Sequence, residues 1–245
     1  VYKRQGEDMS GSFSPGWWAG AVVPLVFSVG AVADVPEVTG EVAAGVWSSN
    51  RMLDDRHTIS SNRAKLKLDW QATESLSLSS EVWALSSPER LDGRREDAGV
   101  NELYVKSSET LCAPALGKKL VMWGRADGIN PTDQVSPSNY RRLTPETTDQ
   151  RTGNWGLHLD CAVGAGKLQV HVLDRFRFNE VPLEKTPGVT FREQDPDARP
   201  TVAVKYDVLG SDADWSISVI DGHDLFPTFA VRSATPAGVT LGQHA

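Results

Sequence analysis

Several signatures of common enzyme and cofactor sites are missing from this chain of 245 residues. It contains no phosphate-binding glycine loop, no dinucleotide fingerprint and no paired CxxC spacing for zinc. Asp221-Gly-His-Asp224 brings titratable groups together, but no Ser or Cys nucleophile motif accompanies it. We therefore expect no enzymatic activity and no cofactor.

Basic residues are also in deficit. Lys and Arg number 25 against 32 Asp and Glu, which gives a net charge of −7. A nucleic-acid-binding protein typically shows a basic patch or stripe. No run of like charges is long enough to tether the chain to a membrane surface by electrostatics alone. The composition therefore argues against a nucleic-acid partner.

Long apolar runs are absent except over residues 17–33, which end in Ala31-Val32-Ala33. Small residues at the last and third-last positions of such a run predict a signal peptide over residues 9–33, although no Lys or Arg lies between Met9 and Trp17. Pro24 and the shortness of the run argue against a membrane-spanning helix. A buried strand or helix is the alternative. Residues 1–5 resemble a translated sequencing adapter, so we interpret residues 1–8 as an artefact or non-native leader.

Alternation of apolar and polar residues is the strongest pattern that is present. In residues 64–70, Leu66, Leu68 and Trp70 alternate with Lys65, Lys67 and Asp69. Successive side chains of a β-strand face opposite sides, so this segment has one apolar and one charged face. The same pattern predicts nine strands, over residues 37–47, 64–70, 75–85, 101–106, 118–125, 154–161, 168–172, 202–208 and 215–219.

The connections between these strands alternate in length. Those over residues 71–74, 107–117, 162–166 and 210–213 are short, and those between them are long. Short turns at one end and long loops at the other are typical of outer-membrane barrels. A soluble sandwich also alternates apolar and polar residues, but it does not require every second connection to be long. We predict an all-β, antiparallel, up-and-down transmembrane β-barrel.

The strand count adds a further expectation. Single-chain bacterial barrels have even strand numbers, whereas nine strands are predicted here. Residues 243–245 resemble neither a strand nor an aromatic terminus. We therefore interpret residues 34–245 as a barrel domain that is incomplete at its C-terminus.

The polar faces of the predicted strands form the candidate lumen. Such a face with both signs of charge suits a water-filled pathway. The candidate pathway residues are Lys65, Lys67, Asp69, Glu81, Lys106, His158, Asp160, His171 and Lys205. His158, Asp160 and His171 are residue types that ligate zinc. We interpret them as polar pore lining and predict no metal.

Cysteine occurs only twice, at Cys112 and Cys161. Both lie at the predicted short-turn end, next to the hairpin of the fifth and sixth strands. Because oxidising compartments favour disulfides, we predict a bond between them. Two free thiols are the alternative.

One segment resembles a known family. Gly117-Lys118 is followed after four residues by Trp123-Gly124, and then by Asn130-Pro-Thr-Asp133. This segment resembles a motif of porin-like bacterial outer-membrane β-barrels similar in style to alginate-export channels, and the likeness is close over residues 117–153. The resemblance implies an outer-membrane location and a channel role, but no particular substrate.

The loop over residues 126–152 and its edges are dense in charges of both signs. Loops can narrow the interior of a porin, and Arg–carboxylate pairs could hold this one in place. The alternative is a solvated external loop. The candidate constriction residues are Arg125, Asp127, Asp133, Arg141, Arg142, Glu146, Asp149 and Arg151.

These patterns together predict a channel for passive passage of small polar solutes through the bacterial outer membrane. Its partners would be membrane lipid and the solute, and self-association into a homo-oligomer is left open. One alternative is a secreted, soluble β-sandwich that binds glycans through Trp and Tyr. Another is an outer-membrane barrel that serves as a scaffold or adhesin without conducting.

Overall fold

The protein is all-β. A computed structural model describes residues 25–29, 35–48, 57–88, 95–108, 111–124, 133–142, 144, 146–183, 187–192, 199–211, 213–236 and 238–244. Apart from a single 3-10 turn at Thr147–Gln150, the regular elements of the described residues are strands. They are β1 (Leu25–Val29), β2 (Glu37–Ser48), β3 (Thr58–Thr73), β4 (Leu76–Ser86), β5 (Glu96–Ser107), β6 (Cys112–Lys119), β7 (Asn154–Val163), β8 (Gly166–Leu173), β9 (Val189–Arg192), β10 (Thr201–Val208), β11 (Trp215–Asp221), β12 (Thr228–Thr235) and β13 (Gly238–His244).

Ten of these strands form one antiparallel sheet in the order β1-β2-β3-β4-β5-β6-β7-β8-β10-β11. Each strand pairs with its neighbour along the chain, except that β8 pairs with β10 because β9 belongs to a second sheet. The predicted all-β, antiparallel, up-and-down order is confirmed. Within the described ranges β1 and β11 form the two edges and do not pair with each other, so the sheet is not closed as a barrel.

The connections of the large sheet alternate in length as predicted. Short connections cover residues 30–36, 74–75, 108–111, 164–165 and 209–214, and long ones cover 49–57, 87–95, 120–153 and 174–200. Because consecutive strands run in opposite directions, all short connections lie at one end of the sheet and all long ones at the other. We call these the short-turn end and the long-loop end.

One predicted strand is misplaced. Residues 118–125 were expected to form the fifth strand, but β6 ends at Lys119 and the predicted turn over 107–117 contains most of it. Pro114 is tolerated within β6 because the pairing with β5 ends at Ala115, so its missing N–H costs no bond on that side. At Gly117, which has φ +138°, a Cβ atom would lie 2.3 Å from the carbonyl oxygen of Leu103, so only glycine fits there.

A second, three-stranded sheet was not predicted. β9 lies in the long connection predicted between the strands over residues 168–172 and 202–208, and it pairs in parallel with β13. β13 in turn pairs antiparallel with β12. Phe191 and Phe229 pack edge to face across this sheet, with ring centroids 5.5 Å apart. All three strands follow chain segments that leave the large sheet at its long-loop end.

Part of the predicted signal peptide is a strand in the structure. β1 lies within residues 9–33 and pairs with β2 from Leu25 opposite Val42 to Val29 opposite Val38. Residues 1–24 and 30–34 lie outside the described residues. Cleavage of residues 9–33 stays a prediction.

The two faces of the large sheet differ in which side chains they expose to solvent. On one face, which we call the outer face, apolar side chains are exposed: Leu66 is 49%, Ile217 63% and Val219 68% accessible. On the opposite, inner face, polar side chains are buried: His158 is 0% and Lys205 6% accessible. Soluble proteins bury apolar side chains and expose charged ones. Here the polarity of the two faces is inverted.

The hydrophobic core is small and lies on the inner side. It comprises Val121, Trp123, Val135, Leu173 and Ala203, with Ile220 packed against it. Leu173 and Ala203 belong to β8 and β10, whereas the other core members belong to the long connection between β6 and β7. This core therefore fixes that connection against the sheet.

The structure joins the two cysteines in a disulfide. Cys112 of β6 lies directly opposite Cys161 of β7, and their Cα atoms are 4.0 Å apart. The bond spans a sequence separation of 49 residues at the short-turn end. It closes a loop that contains the whole connection between β6 and β7, so it restricts the unfolded chain as well as the sheet.

We expect replacement of both cysteines by serine to lower the free energy of unfolding by about 2–4 kcal/mol, because the unfolded chain regains the entropy of the open loop. Chemical denaturation of the oxidised protein and of the double variant measures the difference. A non-reducing mass equal to that of the reduced protein would show free thiols instead and contradict the bond.

Candidate functional site

The candidate pathway residues share one face of the large sheet. The strand registers place Lys67 opposite Glu81, and Asp69 opposite Ser79. They place His158 opposite His171, and Asp160 opposite Gln169, which is opposite Lys205. The inner face carries all nine predicted positions: Lys65, Lys67, Asp69, Glu81, Lys106, His158, Asp160, His171 and Lys205.

The charges on β3 are paired along and across the strands. The ammonium of Lys67 lies 3.0 Å from the carboxylate of Asp69, which also accepts a hydrogen bond of 2.6 Å from the Ser79 hydroxyl. Both side chains of this ion pair are partly exposed, so the pair stays hydrated. Such a pair contributes little to stability but lines the face with fixed charges of both signs.

A second charged group surrounds Asp160 on β7. Its carboxylate lies 3.2 Å from the ammonium of Lys119 and 3.3 Å from that of Lys167, and it accepts a hydrogen bond of 3.0 Å from Gln169. Lys205 donates a 3.0 Å hydrogen bond to the carbonyl of Trp123 and lies 3.4 Å from Asp207. These contacts satisfy the buried charges of the inner face, as burial requires.

A β-bulge adds the side chain of Asn101 to the polar face beside Glu102. The register between β4 and β5 shifts after Glu81, so Asn101 is an extra residue in β5. Asn101 donates a 3.1 Å hydrogen bond to Glu81 and accepts one of 3.3 Å from the N–H of Gly153. Glu102 accepts a 2.9 Å hydrogen bond from the N–H of Leu120. The bulge therefore attaches both ends of the long β6–β7 connection to the inner face.

His158 and His171 form a closely packed pair. Both are buried, and their Nδ1 atoms are 3.0 Å apart, so one Nδ1 donates a hydrogen and the other accepts it. The ring of His171 also packs against Trp123, with centroids 5.8 Å apart. Within the part of the chain that the structure describes, no three His, Cys, Asp or Glu side chains are grouped closely enough to hold a metal ion.

The described residues of the segment 133–153, which we call the inner-face loop, lie against the polar side of the sheet. Asp149 forms ion pairs with Arg63 and Lys65 of β3, and Arg63 also pairs with Glu41 of β2. The side chain of Asp149 is almost fully buried by these contacts. Two cations and two carboxylates from three chain segments therefore meet on this face.

Arg142 makes a second attachment of the inner-face loop. Its guanidinium carbon lies 4.0 Å from the ring centroid of Trp83 on β4, and its Nε is 3.7 Å from the carboxylate of Asp97 on β5. A guanidinium over an indole face is the strongest common form of cation–π contact. Trp83 lies on the polar inner face of β4, although it is aromatic. Its contact with Arg142 accounts for that position.

Hydrogen bonds within the loop complete its position. The carboxylate of Asp133 accepts two 2.7 Å hydrogen bonds from the backbone N–H groups of Trp123 and Gly124, and pairs with Arg151 at 2.8 Å. The Ser136 hydroxyl accepts a 2.9 Å hydrogen bond from the N–H of Val121. Side chains of the loop therefore satisfy backbone groups that a strand partner would have satisfied.

The predicted constriction residues have different roles. Asp149 and Arg142 contact the wall, while Asp133 and Arg151 pair within the loop. Arg141 lies 3.7 Å from Glu180 in the connection between β8 and β10, and Glu146 is exposed. Arg125 and Asp127 lie outside the described residues.

The fold defines this chain as an all-β protein built on an antiparallel meander with inverted face polarity. Among the described residues, no helix combines the length and apolar character needed to cross a bilayer. No family model, curated protein sequence or solved structure matches the chain.

We expect Asp149→Asn to lower the free energy of unfolding by about 3 kcal/mol, because it leaves the half-buried Arg63 and Lys65 without their shared carboxylate. Chemical denaturation measures the loss, and limited proteolysis measures release of the inner-face loop. The matched control is Glu146→Gln, which removes the same charge from an exposed position of the same loop. Equal stability and equal proteolysis of the two variants would show that the ion pairs do not hold the loop.

Proposed function

We propose that this chain forms part of the wall of an outer-membrane β-barrel channel that passes small polar solutes. The observation that carries the proposal is the inverted polarity of the large sheet, whose outer face is apolar and whose inner face is charged. A transmembrane barrel with a polar lumen requires this arrangement, because lipid surrounds it and water or polar loops fill it.

The outer face is apolar over a wide area. A soluble monomer rarely exposes contiguous apolar patches larger than a few hundred Å². Contact with lipid tails would remove this apolar surface from water, and that transfer has a favourable free energy. Exposed apolar side chains that the registers place on this face include Val42, Val46, Leu66, Val82, Leu103, Val105, Leu116, Leu157, Val172, Ile217 and Val219.

The length of β7 suits a bilayer. It has ten residues, Asn154–Val163. A transmembrane β-strand that is tilted by about 45° needs about 9–11 residues to cross the hydrocarbon core. Outward-facing Trp155 lies near the long-loop end, and outward-facing Trp70 and Trp215 lie near the short-turn end. Aromatic residues at both ends are typical of interfacial girdles.

The inner face supports the channel role. It carries fixed charges of both signs, and the inner-face loop covers part of it through the contacts of Asp149 and Arg142. A loop attached to the wall from inside narrows a lumen, and charged side chains around the narrow part select among solutes. The loop therefore acts as the constriction of the proposed channel.

The soluble β-sandwich that binds glycans has less support. A sandwich buries the apolar faces of two sheets against each other. Here no described element covers the outer face, as the exposure of its side chains shows. A scaffold or adhesin would share the wall and differ only in conducting nothing, so conductance separates it from a channel.

Substitutions at two depths of one strand test the membrane contact. Val204 and Val208 share the outer face of β10, with Val204 near mid-strand and Val208 at its short-turn end. We expect arginine to cost about 2–4 kcal/mol at Val204 but only about 0–1 kcal/mol at Val208, because the penalty depends on depth in the bilayer. Urea unfolding in lipid vesicles measures both. Failure of Val204→Arg to fold, in water and in lipid alike, would point to a buried core instead.

Charge reversal tests conduction. We expect Lys67→Glu and Lys106→Glu to raise the permeability of cations relative to anions, because each makes the inner face more negative by two charges. Reversal potentials in planar bilayers under a salt gradient measure the change. Lys118→Glu is the matched control, since the register places Lys118 on the outer face. Absence of any conductance, or equal selectivity in all variants, would contradict the proposal.

A further inference from the structure

A cavity of about 590 Å³ opens beside the inner-face loop. Its walls come from three separate segments: the loop itself, the part of the β8–β10 connection near Asn179, and residues 220–226 after β11. The volume lies within the range of small-molecule binding sites. Asp133 and Arg151 of the loop line this cavity, whereas Asp149 and Arg142, which attach the loop to the wall, do not.

Hydrogen bonds tie the three walls together. Asn179, which is buried, accepts a 2.7 Å hydrogen bond from the N–H of Ser138 in the loop and donates its own N–H to the carbonyl of Leu225 at 2.8 Å. The N–H of Tyr140 bonds to the carbonyl of Glu180 at 2.8 Å. The cavity is therefore formed before any ligand binds, which lowers the entropic cost of binding.

The lining combines aromatic rings with uncharged polar groups. Tyr140 and Phe226 are nearly parallel, with ring planes 16° apart and centroids separated by 6.0 Å, and Phe226 is exposed. Gln134, Gln150 and Ser138 contribute amide and hydroxyl groups. An apolar ring face beside several hydrogen-bonding groups matches a ligand with C–H faces and a rim of hydroxyls.

His223 adds a third aromatic ring to the lining. Its ring packs against Phe176, with centroids 5.3 Å apart, which fixes its orientation. The cavity therefore has a second apolar ring wall beside Tyr140 and Phe226.

The charges of the lining disfavour an anionic ligand. Arg151 is the cation of the lining, and its guanidinium is already paired with Asp133 at 2.8 Å. Asp224 contributes a second carboxylate, which accepts the N–H of Phe226 at 2.9 Å. An added carboxylate or phosphate would face two negative charges and one cation that is already engaged. The charge balance therefore favours a neutral ligand.

We infer that this cavity binds a neutral polyhydroxylated ring, such as a neutral mono- or oligosaccharide. The cavity alone supports the binding of such a ligand. The further step, that the bound sugar is the solute that enters the lumen, rests on the proposed channel function.

Calorimetric titration of the full chain in detergent micelles tests the binding, with maltose as the neutral probe and glucuronate as its charged counterpart. We expect saturable binding of maltose and much weaker binding of glucuronate. Phe226→Ala should raise the dissociation constant for maltose about tenfold by removing the exposed ring. Tyr140→Ala, which removes the ring stacked with Phe226, should also weaken binding. Phe191→Ala is the matched control outside the cavity and should leave binding unchanged.

Three results would overturn the inference. They are the absence of saturable maltose binding, binding of glucuronate as tight as that of maltose, and equal weakening by Phe191→Ala and the two cavity variants. Conductance of the same preparation separates this inference from the proposed function. Conductance without maltose binding would remove the site and keep the channel, whereas maltose binding without conductance would keep the site and remove the channel.

Discussion

Across the β3–β4 ladder, Leu66 lies opposite Val82 on one face while Lys67 lies opposite Glu81 on the other. The rest of the structure depends on this register being kept across all ten strands of the large sheet. A slip of one residue in any pair would send apolar side chains to the inner face and charges to the outer one. The bulge after Glu81 shows how the sheet absorbs an extra residue without such an exchange.

The inner face in turn depends on charge pairing. The side chain of Asp149 is almost fully buried between Arg63 and Lys65, and the two cations offset the cost of removing its charge from water. The loop and the wall are consequently one unit, because the loop supplies the carboxylate that β3 requires. The cation–π contact between Arg142 and Trp83 adds a second attachment a strand away. A lumen narrowed in this way and a preformed cavity beside it give the proposed channel both a selective region and a place for its solute to bind.

The prediction of strand 118–125 failed for an instructive reason. Val121 and Trp123 form an apolar alternation that is typical of a strand, yet the N–H groups of both donate to no strand partner. The Ser136 hydroxyl and the Asp133 carboxylate take those N–H groups instead, from 10 to 15 residues further along the chain. Likewise, β9 pairs in parallel with β13, a partner that no local pattern around Val189 indicates. The closely predicted strands, such as β4, β7 and β10, are those whose alternation of apolar and polar residues continues along the whole strand.

The sequence by itself determined the strand order, the two faces and the alternation of turns and loops, because a period of two residues is a property of the local backbone. It also narrowed the disulfide to Cys112 and Cys161. Only the tertiary structure decided that the charged loop lies on the inner face, that Asn101 is a bulge residue and that Tyr140, His223 and Phe226 share a cavity. The physical reason is distance along the chain: Arg63 and Asp149 are separated by 86 residues, and only the folded sheet brings such charges into contact.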